Sequence, residues 1–278
     1  MEYIILIDTS YTSFYRFYAT LRWLALSQNE LYKQHVNNPL YNWIDNPIFI
    51  DKYEKMYLES IKKLLGKKIF NKSKIIFCMD SPREEIWRSD LTCKYKANRI
   101  DLSLKNNYKP IFDYTYLNII PNIINNNKNI FKLRISKLEA DDIIAIITKT
   151  FEEKNCTLPI YIISGDKDFL QLGRENVFFL NYKLKKYIII NKDEAKLLLH
   201  KKILLGDKSD CIDSIFPKGF KSKIKKELVE SQEIFIEYIK NNKDIEQKYI
   251  QNKKLIDFDF IPKKYYSIVM EEYYNTIN

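Results

Sequence analysis

Three short apolar runs along the chain each end in acidic residues. Residues 3–7 are followed by Asp8, residues 74–79 by Asp80, and residues 160–163 by Ser164-Gly-Asp-Lys-Asp168. Short apolar runs bounded by polar residues predict buried strands. The carboxyl ends of parallel strands meet at one edge of a sheet, where α/β proteins bind ligands. We therefore expect the acidic side chains at these strand ends to gather there.

Helical patterns separate and follow these runs. Residues 49–65, about 114–124 and 141–153 lie between the predicted strands or next to them. This alternation predicts an α/β fold with a mostly parallel twisted sheet flanked by helices. An irregular insertion is expected at 37–47 and a polar loop at 125–127.

The pattern changes near residue 190. Residues 193–205 and 220–241 and the tyrosine-rich tail look helical, with a break at 206–210. The prediction is a core over residues 1–190 and a C-terminal helical module over 191–278.

Composition narrows the class of protein. The chain has 278 residues, 46% of them apolar, which suits a substantial domain with an appendage. We expect no signal peptide, because the start lacks a basic segment and Asp8 interrupts its apolar run. We expect no membrane span, because no apolar run approaches about 18 residues. The four cysteines form no CxxC pair and the chain has two histidines, so we expect no zinc site. The scattered cysteines favour an intracellular, reducing setting.

The net charge of +10 indicates a polyanionic partner, most simply nucleic acid. An alternative is that AT-rich coding sequence has enriched lysine, asparagine and isoleucine without any function.

Further carboxylates lie outside the strand ends. Glu139, Asp141 and Asp142 fall within four positions, and Asp207 and Asp210 follow an apolar helical stretch. Acidic residues at a helix start are common by themselves, because the helix dipole favours them. Gathering all these acids in one place is costly, because two like charges at 4 Å repel by about 4 kcal/mol at an effective dielectric near 20. Bound divalent cations would relieve this repulsion. Ligand sets made only of oxygen favour Mg²⁺ or Mn²⁺, and two such ions promote in-line attack of water on a phosphodiester.

Six short motifs occur in an order and spacing that resemble the 5′-nuclease family. This family comprises flap endonucleases, the 5′-exonuclease domains of bacterial polymerases, and phage and large-DNA-virus relatives. The motifs span about residues 4–225. They are Ile7-Asp8, Phe77-Cys-Met-Asp80, Trp87-Arg88 leading to Tyr95-Lys-Ala-Asn-Arg99, Glu139-Ala-Asp-Asp142, Ser164-Gly-Asp-Lys-Asp-Phe-Leu170 and Leu205-Gly-Asp-Lys-Ser-Asp210.

The resemblance implies a PIN-like core, a helical arch over about residues 81–115, and a C-terminal helix–turn–helix-type module that holds duplex DNA. It implies two Mg²⁺ ions, for which Mn²⁺ can substitute. The candidate ligands of the first ion are Asp8, Asp80, Glu139 and Asp141. Those of the second are Asp166, Asp168, Asp207 and Asp210. Asp142 belongs to the motif and either binds metal or supports the ligands.

The resemblance also implies basic residues at the base of the arch. Lys94 and Arg99 are the candidates for stabilising the scissile phosphate, alongside the metal-binding acids. Arg88, Lys94, Lys96 and Arg99 are candidate nucleic-acid contacts. Tyr95 either stacks on a base or belongs to the core, and the whole stretch has a solvated helix face as its alternative.

A second candidate nucleic-acid surface comprises Lys218, Gly219, Lys221 and Lys223, which suit backbone contacts near a helix N-terminus. Its alternative is a solubilising face. Residues 215–217 replace the glycine-containing turn in which the family binds a monovalent cation, so a K⁺ site is doubtful.

The function predicted is a Mg²⁺-dependent, structure-specific 5′-nuclease that hydrolyses DNA at 5′ flaps or 5′ ends during replication, repair or recombination. The alternatives are a catalytically silent DNA-binding scaffold and a PIN-type ribonuclease. DNA is the expected partner and the protein is expected to be a monomer. No clamp-binding motif is found.

Overall fold

The computed structural model describes residues 2–92, 94–97, 108–184 and 186–277. They form one six-stranded sheet with the order β3-β2-β1-β4-β5-β6. Strands β1 to β5 are parallel, and β6 runs antiparallel at the edge. The strands are β1 (Tyr3–Asp8), β2 (Ser73–Cys78), β3 (Ile130–Leu133), β4 (Ile160–Ile163), β5 (Val177–Asn181) and β6 (Lys186–Ile188). The predicted α/β class and mostly parallel sheet are confirmed.

Helices connect the strands and form the C-terminal part. The helices that precede β4 are α1 (Thr9–Ser27), α2 (Asn29–His35), α3 (Pro47–Leu65), α4 (Lys67–Lys72), α5 (Lys109–Tyr114), α6 (Ile120–Asn125) and α7 (Ala140–Glu153). A π-helical turn, Thr115–Ile119, joins α5 to α6. Those after β6 are α8 (Lys192–Leu205), α9 (Ser222–Glu230), α10 (Gln232–Ile239), α11 (Lys243–Ile256) and α12 (Lys264–Ile277).

The sheet is covered on both faces, as its continuous apolar strands require. Alternate residues of β1 point to opposite faces. Ile4 and Leu6 pack in the cluster that contains α7 and α12, whereas Ile5 and Ile7 pack in the cluster that contains α1 and α3. The strands are therefore held from both sides, and their carboxyl ends are fixed relative to one another.

The C-terminal helices differ from the prediction in two ways. The helical stretch expected over 220–241 is two helices, because Ser231 ends α9 and caps α10, accepting a hydrogen bond of 3.3 Å from the Ile234 amide. The last helix also returns to the sheet, where Val269 and Tyr273 are fully buried against α7 and β3. Part of the predicted 191–278 module thus shares the core of residues 1–190.

Two smaller apolar clusters lie between α8 and the helices α9 to α11. Among the described residues, no helix is both long enough and apolar enough to cross a bilayer.

Candidate active site

Asp8 links the sheet edge to the first helix. It is the last residue of β1 and the N-cap of α1, where its carboxylate accepts a hydrogen bond of 3.0 Å from the Tyr11 amide. Ser164, just after β4, donates to its other oxygen at 2.8 Å. The pKa of Asp8 is raised to about 7, mainly because the side chain is partly buried and secondly because the charge of Asp80 lies nearby. The carboxylate is oriented by these bonds and has no cation beside it among the described residues.

Asp80 follows β2 and connects the sheet to α7. Its carboxylate accepts hydrogen bonds from the Ser10 hydroxyl at 2.5 Å and from the Ala140 amide at 2.8 Å. Because Asp8 pairs in register with Cys78, the two acids lie at neighbouring strand ends. This confirms that the strand ends bring the acids together.

Glu139 is the N-cap of α7 and forms a capping box with Asp142. Its oxygens also contact Lys96 Nζ at 2.6 Å, the Tyr95 hydroxyl at 2.9 Å and Arg88 Nη1 at 3.2 Å. Burial alone would raise the pKa of Glu139, but the charges of Lys96 and Arg88 lower it to about 2. Glu139 is therefore ionised and surrounded by donors from this chain.

Asp142 faces the interior and has no exposed surface. Its oxygens lie 2.7 Å from Arg88 Nη1 and accept from Trp87 Nε1 at 3.0 Å and from the Glu139 amide at 3.1 Å. These contacts make Asp142 a residue that positions the start of α7, in line with the supporting role considered for it. Asp141, which precedes Asp142 in α7, is partly exposed. The burial of the rest of its side chain raises its pKa well above the usual range.

The second group of acids comes from two loops. Asp166 and Asp168 follow β4, and Asp207 and Asp210 follow α8. One carboxylate oxygen each from Asp168, Asp207 and Asp210 lie within 4.8 Å of one another. The loop of Asp207 closes through a bridge to Ile212 and depends on Gly206 at φ +73° and Cys211 at φ +59°. Asp166 is exposed and accepts from the Asp168 amide at 2.9 Å.

A lysine that the sequence analysis missed lies in this second group. Lys202, in the last turn of α8, contacts Asp168 Oδ1 and lies 2.7 Å from Asp207 Oδ2. Burial alone would raise the pKa of Asp207, but hydrogen bonds from Lys202 and Ser209 lower it to about 2. No sequence motif marks Lys202, because its contact with Asp168 depends on how α8 packs against the loop after β4.

The chemistry of the donor set fits divalent metal. All the ligand candidates are carboxylates, which suit Mg²⁺ or Mn²⁺. The group at Asp168 and Asp207 already attracts one cation, the Lys202 ammonium, to the space between its oxygens. Burial and the charge of Asp80 raise the pKa of Asp8, and a cation bound beside the Asp8 carboxylate would oppose both effects.

The predicted nucleic-acid contacts divide into buried and exposed residues. Arg88, Tyr95 and Lys96 are 2%, 8% and 6% exposed and are occupied by Glu139 and its neighbours, so the assignment of these three to a nucleic-acid surface is corrected. The backbone explains part of this, because Lys96 has φ +53° and its amide donates to the Asp210 carbonyl. Lys94 is exposed. Arg99 lies outside the described residues, as do residue 93 and the rest of the segment 98–107 in the predicted arch.

The C-terminal basic surface is exposed as expected. Lys218, Gly219, Lys221 and Lys223 lie at or just before the start of α9, and Gly219 adopts φ +82°. This surface, which we call the α9 basic loop, presents lysines near free backbone amides of a helix N-terminus.

Comparison with known proteins identifies the family. A family model described as the N-terminal, resolvase-like domain of 5′-3′ exonucleases matches residues 3–199. The chain belongs to this family. The chain is therefore a nuclease of the hydrolase class.

Named relatives agree with this. The protein called ribonuclease H of Enterobacteria phage T4 is 30% identical over 239 residues, which cover 80% of this chain and 76% of the phage protein. A 5′-3′ exonuclease of Buchnera aphidicola is 30% identical over 59% of this chain, and the match covers 55% of that enzyme. The chain thus spans about half the length of this bacterial relative.

Solved structures share the fold of the described residues. A 5′-exonuclease of phage T5 with divalent zinc ions bound has a TM-score of 0.63 at 14% identity and covers 99% of both chains. A complex of the T5 flap endonuclease with DNA and metal ions has a TM-score of 0.63 at 16% identity and covers 98% of both. These likenesses extend to the C-terminal helices, beyond the range of the family model.

Proposed function

We propose that this protein is a Mg²⁺-dependent, structure-specific 5′-nuclease that hydrolyses DNA at 5′ flaps or 5′ ends. The observation that carries the proposal is the clustering of carboxylates, in which one oxygen each of Asp168, Asp207 and Asp210 lie within 4.8 Å of one another. A cluster of this kind, in a chain of net charge +10, combines metal-binding acids with a surface that attracts a phosphate backbone.

The residues that would hold two ions fall into two groups. Asp8, Asp80, Glu139 and Asp141 would hold one ion, and Asp166, Asp168, Asp207 and Asp210 would hold the other. When bound, divalent ions supply Lewis-acid stabilisation of the phosphate charge and activate water for in-line attack. The structures of T5 enzymes with metal ions support this use of the carboxylates.

The chain's own residues orient this set. Ser10 and Ser164 donate to Asp80 and Asp8 and fix the direction of their oxygens. Lys96 and Arg88 keep Glu139 ionised at the start of α7. These contacts hold the acids in place before substrate arrives, so that little rearrangement is needed for binding.

The α9 basic loop is the proposed contact with the duplex, and Lys94 is the described residue proposed to meet the substrate at the base of the arch. The same proposal places the α9 basic loop in a C-terminal helix–turn–helix-type module and takes the protein to be a monomer. The T5 complex with DNA supports duplex DNA as the substrate.

Cleavage of a labelled 5′-flap duplex tests the proposal. The wild type is assayed with Mg²⁺ and with EDTA, beside Asp168→Asn, which keeps the size of the side chain and removes its charge. Asp193→Asn is the matched control, because the Asp193 side chain is 96% exposed at the start of α8. We expect metal-dependent cleavage near the flap junction by the wild type and the control, and binding without cleavage by Asp168→Asn.

Other outcomes would replace the proposal. Tight binding without cleavage by the wild type would leave a DNA-binding scaffold. A second candidate, cleavage of RNA 5′ strands on a DNA template, is favoured by the name of the phage T4 relative. A parallel substrate with an RNA 5′ strand distinguishes the two, since preference for that strand would make RNA the substrate.

A further inference from the structure

Lys202 is the one described lysine that contacts acids of both loops in the second group. Its Nζ lies 2.7 Å from Asp207 Oδ2 and also contacts Asp168 Oδ1. The three side chains are 21%, 18% and 13% exposed, so the interaction is only partly screened by water. The lysine offsets one of the two negative charges on a carboxylate pair that the proposed function assigns to a divalent ion.

The first group of acids differs in this respect. Within the described residues, no lysine or arginine forms an ion pair with Asp8, Asp80 or Asp141, which are held by hydroxyl and amide donors or by none. An ion held by the oxygens of Asp8, Asp80 and Asp141 displaces no side-chain cation, although Glu139 beside them is already paired with Lys96 and Arg88. An ion that binds Asp168 and Asp207 meets a positive charge already in place.

We propose that Lys202 is a tethered counterion of the second metal site, bound to Asp168 and Asp207 in the metal-free protein and displaced by the incoming divalent ion. This inference rests on the proposed function. An ammonium and a divalent ion repel each other and compete for the same oxygens, so the two cannot share them at contact distance. The ions then bind in order, first at the unpaired acids and afterwards, at higher concentration, at the pair that Lys202 holds.

The surroundings leave room for the displaced side chain. A cavity of about 800 Å³ lies between the loop at 165–171 and the segment 198–209, and Lys202 is among its lining residues. Lysine has four rotatable methylene groups and a strongly hydrated ammonium, so its movement into this open cavity costs little. The lysine therefore protects the acid pair from self-repulsion when metal is absent without blocking the site permanently.

Metal binding measured by calorimetry tests the competition. Ca²⁺ and Mg²⁺ are titrated into the full-length wild type, Lys202→Gln and the matched control Lys201→Gln. Lys201 lines the same cavity, and no ion pair to it is found within the described residues, so its replacement reports the general effect of removing one charge. We expect the weaker binding step to tighten about ten-fold in Lys202→Gln, equivalent to about 1.4 kcal/mol, and to change much less in the control.

Melting temperature provides a readout in the absence of metal. Without metal, Lys202→Gln should melt lower than the wild type, because Asp168 and Asp207 then repel each other. Saturating Ca²⁺ should remove most of this difference. Equal melting of the two proteins without metal would mean that Lys202 is no counterion.

Chemical labelling of the wild type tests displacement directly. A small amine-acylating reagent is applied with and without Ca²⁺, and the labelling of Lys202 and Lys201 is compared by mass spectrometry. Displacement predicts that labelling of Lys202 increases several-fold with Ca²⁺ while that of Lys201 stays constant.

The outcomes separate the two proposals. If the wild type binds divalent ions in two steps but Lys202→Gln binds them no more tightly than Lys201→Gln, the counterion role is wrong and the nuclease proposal stands. The same holds if labelling of Lys202 is unchanged or falls. If the wild type binds no divalent ion, both proposals fail.

Discussion

Arg88 and Asp142 form an ion pair beneath the acid cluster, with Arg88 Nη1 2.7 Å from Asp142 Oδ1 and both side chains buried. The same arginine donates from Nε to the Leu255 carbonyl at 3.0 Å. It thereby joins the start of α7 to the end of α11. Arg88 therefore helps to fix the position of the acids on α7 relative to the C-terminal helices.

Replacement of Arg88 by methionine should destabilise the protein by about 3–5 kcal/mol, because the buried charge of Asp142 is left without its partner. Urea unfolding measures this free energy. Arg22→Met is the matched control at an exposed position and should change stability by less than about 0.5 kcal/mol.

A double-mutant cycle distinguishes the ion pair from simple packing. Arg88→Met combined with Asp142→Leu removes both charges, so the double variant should be more stable than the sum of the single effects implies. Additive single effects would show that the pair is not energetically coupled.

Gly206 is predicted to be required for the loop that carries Asp207 and Asp210. It has φ +73°, and a Cβ there would lie 2.4 Å from the Ile212 carbonyl oxygen. Gly206→Ala should therefore cost more than the roughly 1 kcal/mol of a strained backbone conformation alone, and should weaken divalent-ion binding. Unfolding and calorimetric titration measure the two effects.

Gly66→Ala provides the control for backbone strain. Gly66 has a similar φ of +76°, but a Cβ there meets nothing within 4 Å. This variant should lose about 1 kcal/mol of stability and bind metal as the wild type does. Equal losses in the two variants would exclude steric conflict as the cause at Gly206.

The sequence predicted the acid positions well because they depend on short-range order. An apolar strand followed by aspartate fixes both the element and the edge at which the acid lies, and Asp8 and Asp80 follow this rule. Strand β4 also has four residues, but all of them are apolar and buried, whereas β3 contains the exposed Lys132 and β6 has three residues that are exposed or half-buried, so neither forms a continuous apolar run. Helix α1, rich in threonine, serine and aromatic residues, also lacked a clear periodic signal.

The cations were not predictable in the same way. Lys96 and Arg88 are 43 and 51 positions from Glu139, and their burial results from long-range packing. Lysine and arginine are rarely buried unless they are paired, so sequence alone favours a surface role for them. Which basic residue meets an acid and which meets solvent is decided by tertiary structure.

The α9 basic loop should contribute to affinity more than to the chemical step. Replacing Lys218, Lys221 and Lys223 together by glutamine should weaken duplex binding. It should also reduce the salt dependence of log K by about one unit for each phosphate that the loop no longer neutralises. Cleavage at saturating substrate should change much less. Binding isotherms at several salt concentrations measure the slope.

The matched control removes the same charge elsewhere. Lys63, Lys67 and Lys68 are exposed near α4, before the start of β2 and so towards the sheet edge opposite the acids. Their replacement by glutamine should leave the salt slope nearly unchanged. A similar loss of affinity in both triple variants would mean that net charge, and not the α9 basic loop, governs binding.

His200 should make the C-terminal helices sensitive to acid. The ring is 3% exposed, packs on Phe235 and has Nε2 2.9 Å from the Leu228 carbonyl, which accepts a hydrogen bond from it in the neutral form. Burial lowers the pKa of His200 from its ordinary 6.5. As the pH falls, the imidazole of His200 is therefore protonated at a higher pH in the unfolded chain than in the folded protein. The contribution of His200 to stability is present above pH 6.5 and is lost as the pH falls towards the lower pKa of the folded state.

Urea unfolding at about pH 7.5 and about pH 5.5 measures this contribution. His200→Gln keeps a donor but does not titrate, so its loss of stability between the two pH values should be smaller than that of the wild type, by at most about 1.4 kcal/mol per pH unit. His35→Gln is the control, because His35 stacks on Tyr41 outside the C-terminal helices. If His200→Gln and the wild type lose equal stability, protonation of His200 does not act on the packing of α8 against α9 and α10.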